Sequence, residues 1–151
     1  MNIFLSKYIN NLDKKGRVSV PASFRQVIGS QPYNGLIAYP SFRNNCIEAC
    51  SLPRLGEISE IFKSLDPYSP AREAFETIIL GQAVQLPFDA EGRITLPRPL
   101  LDNAGMLDHA CFVGKGEMFE IWQPERFDLY LEEARKLAEN NRLSLKNDKK
   151  I

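Results

Sequence analysis

Two stretches decide the reading: Asp13–Lys14–Lys15–Gly16–Arg17–Val18–Ser19–Val20–Pro21 and, 76 residues later, Asp89–Ala90–Glu91–Gly92–Arg93–Ile94–Thr95–Leu96–Pro97. Asp, Gly, Arg and Pro coincide without a gap. The same offset pairs Leu12 with Phe88, Ser19 with Thr95 and Gly29 with Gly105. Further on, Ile47–Glu48–Ala49–Cys50 matches Phe119–Glu120–Ile121–Trp122 at an offset of 72, so the first copy holds four more loop residues. Two correlated blocks in the same order mark an internal duplication, which has to be found before elements are assigned.

Both copies have the same physical logic. Asp at the first and Gly at the fourth position fit a type I turn, where the Asp side chain bonds the backbone ahead of it and Gly takes a positive φ. Val18–Ser19–Val20 and Ile94–Thr95–Leu96 then alternate with the period of a half-buried strand. Pro21 and Pro97 suit the first position of a helix, and Gly29 and Gly105 its end. Phe24, Val27 and Ile28 give that helix one apolar face, whereas Pro99 restricts the first turn of its counterpart. Leu36–Ile37–Ala38–Tyr39 and Ala110–Cys111–Phe112–Val113 supply a third strand, and the Glu48 and Glu120 segments a fourth. Modules of this size have marginal cores, so pairing is expected.

Helical segments join and close the modules. Leu55, Ile58, Phe62 and Leu65 follow helical spacing up to Pro67. Ser69–Pro70 opens a second helix through Phe75, Ile78 and Ile79 to Gly81. The last helix starts at Pro124, with Phe127, Leu131, Ala134 and Ala138 on one stripe, and a polar tail with Lys146, Lys149 and Lys150 follows. The expected organisation is a first module over 5–53, a helical linker over 54–81, a second module over 82–126, and a C-terminal helix with its tail over 127–151.

The 151 residues carry 19 basic and 19 acidic groups, so the chain is formally neutral. That balance conceals a segregation. Residues 1–47 hold six cations (Lys7, Lys14, Lys15, Arg17, Arg25, Arg43) against Asp13 alone, and the remainder is acidic by the same margin. A basic block of this kind points to a polyanionic partner for one face.

Enzymes are disfavoured. The single histidine, His109, would have to serve every Ser-His or Cys-His arrangement, and G-x-S-x-G, P-loop and H-E-x-x-H motifs are lacking. Glu132 and Glu133 fall on a wet helix face. Cys46, Cys50 and Cys111 make neither a disulfide framework nor a four-ligand zinc site, so no metal or cofactor is expected. No apolar run is long enough to span a bilayer and the N-terminus lacks signal-peptide features, so a cytoplasmic location is expected.

These residues carry a resemblance. Asn11–Leu12–Asp13–Lys14–Lys15–Gly16–Arg17–Val18–Ser19–Val20–Pro21, the second Asp89–x–x–x–Arg93 with Leu96–Pro97, and Phe112–Val113–Gly114 followed by Phe119–Glu120–Ile121–Trp122 resemble the bacterial MraZ family from about Phe4 to the final helix. The resemblance implies an α+β, β-rich fold of two tandem AbrB-like swapped-hairpin half-barrels with connecting helices and a C-terminal helix. It also implies a nucleoid-associated, sequence-specific transcriptional regulator. Such a protein binds double-stranded DNA at short direct repeats upstream of the division and cell wall gene cluster, as a ring of its own copies, with no membrane or small-molecule substrate.

On that reading Lys14, Lys15, Arg17 and Arg25, with Lys7 and Arg93, are the DNA-binding candidates, and Asp13, Gly16, Asp89 and Gly92 build the motif. Clustered cations neutralise phosphates and release counterions. Arg17 instead could read a guanine edge. Asp13 and Arg17 could equally pair across the turn and serve structure alone, as could Asp89 and Arg93. The second copy lacks the lysines, having Ala90 and Glu91, and has Leu101 where the family often has a basic residue, so Arg93 is a weaker candidate and the copy's expected role is mainly assembly. An antitoxin-like protein or a purely scaffolding oligomer is the alternative.

Overall fold

The computed structural model describes residues 3–29 and 33–146. Residues 147–151, with Lys149 and Lys150 of the polar tail, lie outside them. The first copy runs β1 (Lys7–Asn11), β2 (Arg17–Ser19), α1 (Ala22–Ile28), β3 (Gly35–Pro40) and β4 (Ile47–Cys50). Helices α2 (Leu52–Lys63) and α3 (Pro70–Phe75) follow, and a π-helical turn (Glu76–Leu80) extends α3. The second copy repeats the order as β5 (Val84–Pro87), β6 (Arg93–Thr95), α4 (Arg98–Ala104), β7 (His109–Gly114) and β8 (Phe119–Trp122), before α5 (Pro124–Asn140) and a 3₁₀ turn (Arg142–Leu145). The fold is α+β and strand-rich.

The strands do not sort by copy. The six-stranded antiparallel sheet has the order β1-β7-β8-β4-β3-β5. The first strand of each copy therefore pairs with a strand of the other: Tyr8 faces Phe112, and Leu86 faces Leu36. β2 and β6 form a separate two-stranded ribbon, again across the copies. Exchanging equivalent elements and reading the sheet backwards returns the same order, so the two halves are related by an approximate two-fold.

Packing repeats the exchange. Phe24, on α1, is buried with its ring centroid 4.8 Å from Phe119 and 6.3 Å from Phe112, both of the second copy. Val18, Val20, Leu36, Ile94, Leu96, Leu100 and Ile121 join the same core. Phe24→Ala therefore weakens the packing of both halves at once, at a cost of about 3–5 kcal/mol.

Several local features differ from the sequence expectation. Pro21 and Pro97 are not the first helical residues; both sit one position earlier in extended backbone (ψ 138° and 150°) as caps of α1 and α4. Pro99 does not hamper α4, because it falls in the first turn, where no intrahelical N–H is needed. The four extra residues of the first copy are split, two between Gly29 and β3 and two between β3 and β4. α2 stops at Lys63, short of Leu65. The stripe on α5 is only partly buried: Phe127 is in the core, but Leu131 is 47% exposed, because the face that packs runs through Phe127, Tyr130 and Ala134, with Tyr130 stacked on Trp122. Ser69 does cap α3, accepting from the N–H groups of Ala71 and Arg72.

The ribbon depends on its two turns. Gly16 has φ +85° and donates to the Asp13 carbonyl at 3.0 Å, and a Cβ there would lie 2.6 Å from the Leu96 carbonyl oxygen. Gly16→Ala should lower stability by about 1–3 kcal/mol in chemical denaturation, through both positive φ and that clash. Gly56 offers the contrast, since it lies within α2 with open space where a Cβ would go. Gly56→Ala should raise stability by about 0.5–1 kcal/mol in the same measurement.

Candidate nucleic-acid interface

The β2/β6 ribbon is built so that chemistry faces outward. Val18 and Ile94 are opposite one another and buried, so the alternation of a strand sends Arg17, Ser19, Arg93 and Thr95 to the other face. Arg17 stands across from Thr95 and Arg93 across from Ser19, which sets the two arginines diagonally on one surface. The turns 13–16 and 89–92 close opposite ends of this ribbon.

Within each turn the aspartate is an organiser. Asp13 Oδ1 accepts from the N–H groups of Lys15 (2.9 Å) and Arg17 (2.8 Å), while Oδ2 accepts from Arg17 Nε at 2.7 Å. Asp89 repeats this with Glu91 (2.8 Å), Arg93 N–H (2.9 Å) and Arg93 Nε (2.8 Å). The structural pairing considered from the sequence is therefore present in both copies. It does not consume the guanidinium: among the described residues only Nε of the Arg17 side chain makes a hydrogen bond. In the second turn, by contrast, Arg93 Nη2 also reaches Glu91 at 3.0 Å.

The electrostatics follow from these bonds. The Arg17 backbone N–H, ahead of the Arg17 side chain and the Lys15 N–H, holds the Asp13 carboxyl below its ordinary value. Asp89 is lowered in the same way by Arg93 and Glu91, and Arg93 is raised, chiefly by its hydrogen bond to Asp89.

The candidate residues divide in three. Lys14 and Lys15 are exposed on the first turn beside Arg17 and, among the described residues, make no ion pair. Lys7 is elsewhere: it begins β1, opposite Val113, and its ammonium lies 5.7 Å from the centre of the Phe127 ring. Arg25 is not beside the first turn either. A Cβ on Gly92 would sit 2.8 Å from Arg25 Cζ and Nε, so the guanidinium rests on the second turn. Sequence order alone places Arg25 with Lys14 and Lys15, whereas the exchange of elements carries it to the other end of the ribbon.

One further cluster escapes a reading of the sequence. Glu48 and Glu120 face each other in register on β4 and β8, both buried. Arg43 donates to Glu48 at 3.2 Å, Lys115 to Glu120 at 3.3 Å, and Trp122 Nε1 to Glu120 at 2.8 Å. A glutamate amid apolar residues in both copies is the signal that could have found it. The cations come from the β3–β4 and β7–β8 loops, so the cluster fixes those loops to the sheet centre. The cysteines are buried, and burial pushes the thiols of Cys50 and Cys111 up to about 12 and 11. His109 opens β7, exposed, with Nδ1 3.2 Å from Asp108. Among the described residues no group of three or more His, Cys, Asp or Glu could hold a metal, and no helix is long and apolar enough to cross a membrane.

Carboxylates with depressed pKa values contribute stability above the ordinary value of about 3.9 and lose it as pH falls through the depressed one. Denaturation between about pH 6 and pH 2 should show this loss, and the double variant Asp13→Asn, Asp89→Asn should flatten the profile there.

A family model described as "MraZ protein, putative antitoxin-like" matches residues 79–147. A protein named "Transcriptional regulator MraZ" from Rickettsia bellii (strain OSU 85-389) is 61% identical over 148 residues, covering 97% of this chain and 99% of its own. Proteins of the same name from Rickettsia rickettsii (strain Sheila Smith) and Rickettsia canadensis (strain McKiel) are 57% and 56% identical over 147 residues, with the same coverage. Identity of this extent, along nearly the whole of both chains, means that the chain belongs to the MraZ family.

Proposed function

We propose that the protein is a sequence-specific DNA-binding transcriptional regulator; its relatives are named transcriptional regulators, and the DNA contact is read from the geometry of this chain. The observation that carries this is the β2/β6 ribbon. A two-stranded ribbon is narrow enough to enter the major groove, and this one turns Arg17 and Arg93 outward, with Lys14 and Lys15 at one end. The Asp13 bond holds Arg17 through Nε and leaves its outer amines without a hydrogen bond among the described residues, so a bidentate contact to a guanine needs little ordering on binding. Lys14 and Lys15 supply the sequence-independent share of affinity through phosphates.

The wider reading is that the exchanged strand pairing is the tandem swapped-hairpin arrangement of AbrB-like half-barrels, with 5–53 and 82–126 as units of duplication, 54–81 joining them and 127–151 closing the chain. Several copies in a ring would engage several short direct repeats upstream of the division and cell wall genes, each contact raising the effective concentration of the next. The protein then works in the cytoplasm at the nucleoid, without a cofactor, and not as an enzyme.

Fluorescence anisotropy on duplex from the region upstream of the chain's own gene tests this. Affinity should fall with salt, and Lys14→Ala with Lys15→Ala should flatten the log–log slope by about 1.8, or about 0.9 per phosphate. A wild-type protein without salt-dependent affinity would overturn the reading. Light scattering at micromolar concentration should report an oligomer; a monomer there would remove the ring.

A further inference from the structure

The two turns at the ends of the ribbon are each roofed by a helix of the opposite copy. α4 brings Leu101 over Gly16, where a Cβ would lie 3.4 Å from Leu101 Cδ1. α1 brings the equivalent residue, Arg25, over Gly92, where a Cβ would lie 2.8 Å from Cζ and 3.0 Å from Nη1. The surrounding hydrogen bonds match: Leu96 N–H donates to the Gly16 carbonyl at 2.8 Å, and Val20 N–H to the Gly92 carbonyl at 3.1 Å. One position in a duplicated frame thus holds an aliphatic side chain at one end and a guanidinium at the other.

The charges of the turns differ in the opposite sense. The first turn, roofed by leucine, has Lys14 and Lys15. The second, roofed by arginine, has Ala90 and Glu91. Leu101 shows that the site is filled satisfactorily by an apolar group, so packing alone does not call for a cation there. Arg25 Nε donates to the Val20 carbonyl at 3.1 Å, which holds the guanidinium flat against the turn. Among the described residues its Nη1 and Nη2 make no hydrogen bond or ion pair, and Arg54 Nε is the single buried side-chain nitrogen or oxygen without a partner. The outer amines of Arg25 therefore reach solvent beside Arg93.

We infer that Arg25, though it belongs to the first copy, is the phosphate-binding residue of the second turn, so that both ends of the ribbon grip DNA and the second copy is not restricted to assembly. This rests on the DNA reading above and adds the division of labour between the ends. Lys14 and Lys15, beside the base-reading Arg17, engage one stretch of backbone, and Arg93 with Arg25 engages another. The glycine at position 92 is required on this account because any Cβ would displace the guanidinium, as well as for its φ of +77°.

Arg25→Leu copies the residue that already fills the equivalent site, which makes it the informative variant. Salt titration against the upstream duplex is run on wild type first; absence of salt-dependent affinity there defeats the DNA reading itself. Given wild-type binding, Arg25→Leu should keep the melting temperature and flatten the slope by about 0.9. Phosphate ethylation interference maps where on the duplex each cation acts. The phosphate whose ethylation ceases to matter in Arg25→Leu should neighbour the one identified with Arg93→Ala, and lie away from those identified with Lys14→Ala plus Lys15→Ala. An unchanged slope, or a phosphate adjoining the lysine-dependent ones, would overturn the inference. Should Arg25→Leu fail to fold, Arg25→Lys and Arg25→Gln replace it, both keeping a donor for Val20; equal slopes for that pair would overturn it, and a flatter slope for the glutamine would support it.

Discussion

Each copy in this chain gives its first strand to the other, and everything else is arranged around that exchange. A β-strand edge left unpaired exposes a row of N–H and C=O groups, and a module of about 45 residues has too small a core to tolerate it. Pairing β1 with β7 and β5 with β3 completes the two halves of the six-stranded sheet, while β2 pairs with β6 in the separate ribbon. The same exchange decides which helix covers which turn, and hence that Arg25 lies on Gly92 and Leu101 on Gly16.

At the centre of the sheet the two-fold brings equivalent residues face to face. Opposed Glu48 and Glu120 would repel if left bare in an apolar interior, and charges buried without partners are expensive. Arg43, Lys115 and the Trp122 indole meet them, each from the same half as the glutamate it serves. The cost of placing two carboxylates on the axis is thereby converted into anchorage for both long hairpin loops. The cluster lies at the seam of the sheet, and the ribbon is the part that turns charge outward.

Much of this is legible in the sequence and some is not, for identifiable reasons. The D-x-x-x-R repeat, the turn glycines, the strand alternation after them and the Ser69 cap are local signals, and local physics honours them. The pairing of Asp13 with Arg17 stays an open alternative at that level, because five residues cannot say where a guanidinium points. Partner choice among strands is non-local: nothing in Lys7–Asn11 tells it to pair with His109–Gly114 rather than with its own copy. For the same reason the sequence groups Arg25 with its neighbours in the chain. The stripe on α5 misleads because apolar spacing does not say which side chains meet the sheet: Tyr130 packs on Trp122 and Leu131 does not. The π turn at Glu76–Leu80 leaves no mark in the residue pattern.

Joining the two halves in one polypeptide has a consequence for what can be recognised. Two identical halves would have to change together, and a self-complementary dimer is suited to a palindrome. Here the halves have drifted independently: one end carries Lys14 and Lys15, the other Ala90 and Glu91 under a guanidinium lent by α1. The ribbon accordingly has a head and a tail. If it is laid in a groove as proposed, it would distinguish the two directions along a duplex, and copies set side by side would all point the same way, which is the grammar of direct rather than inverted repeats.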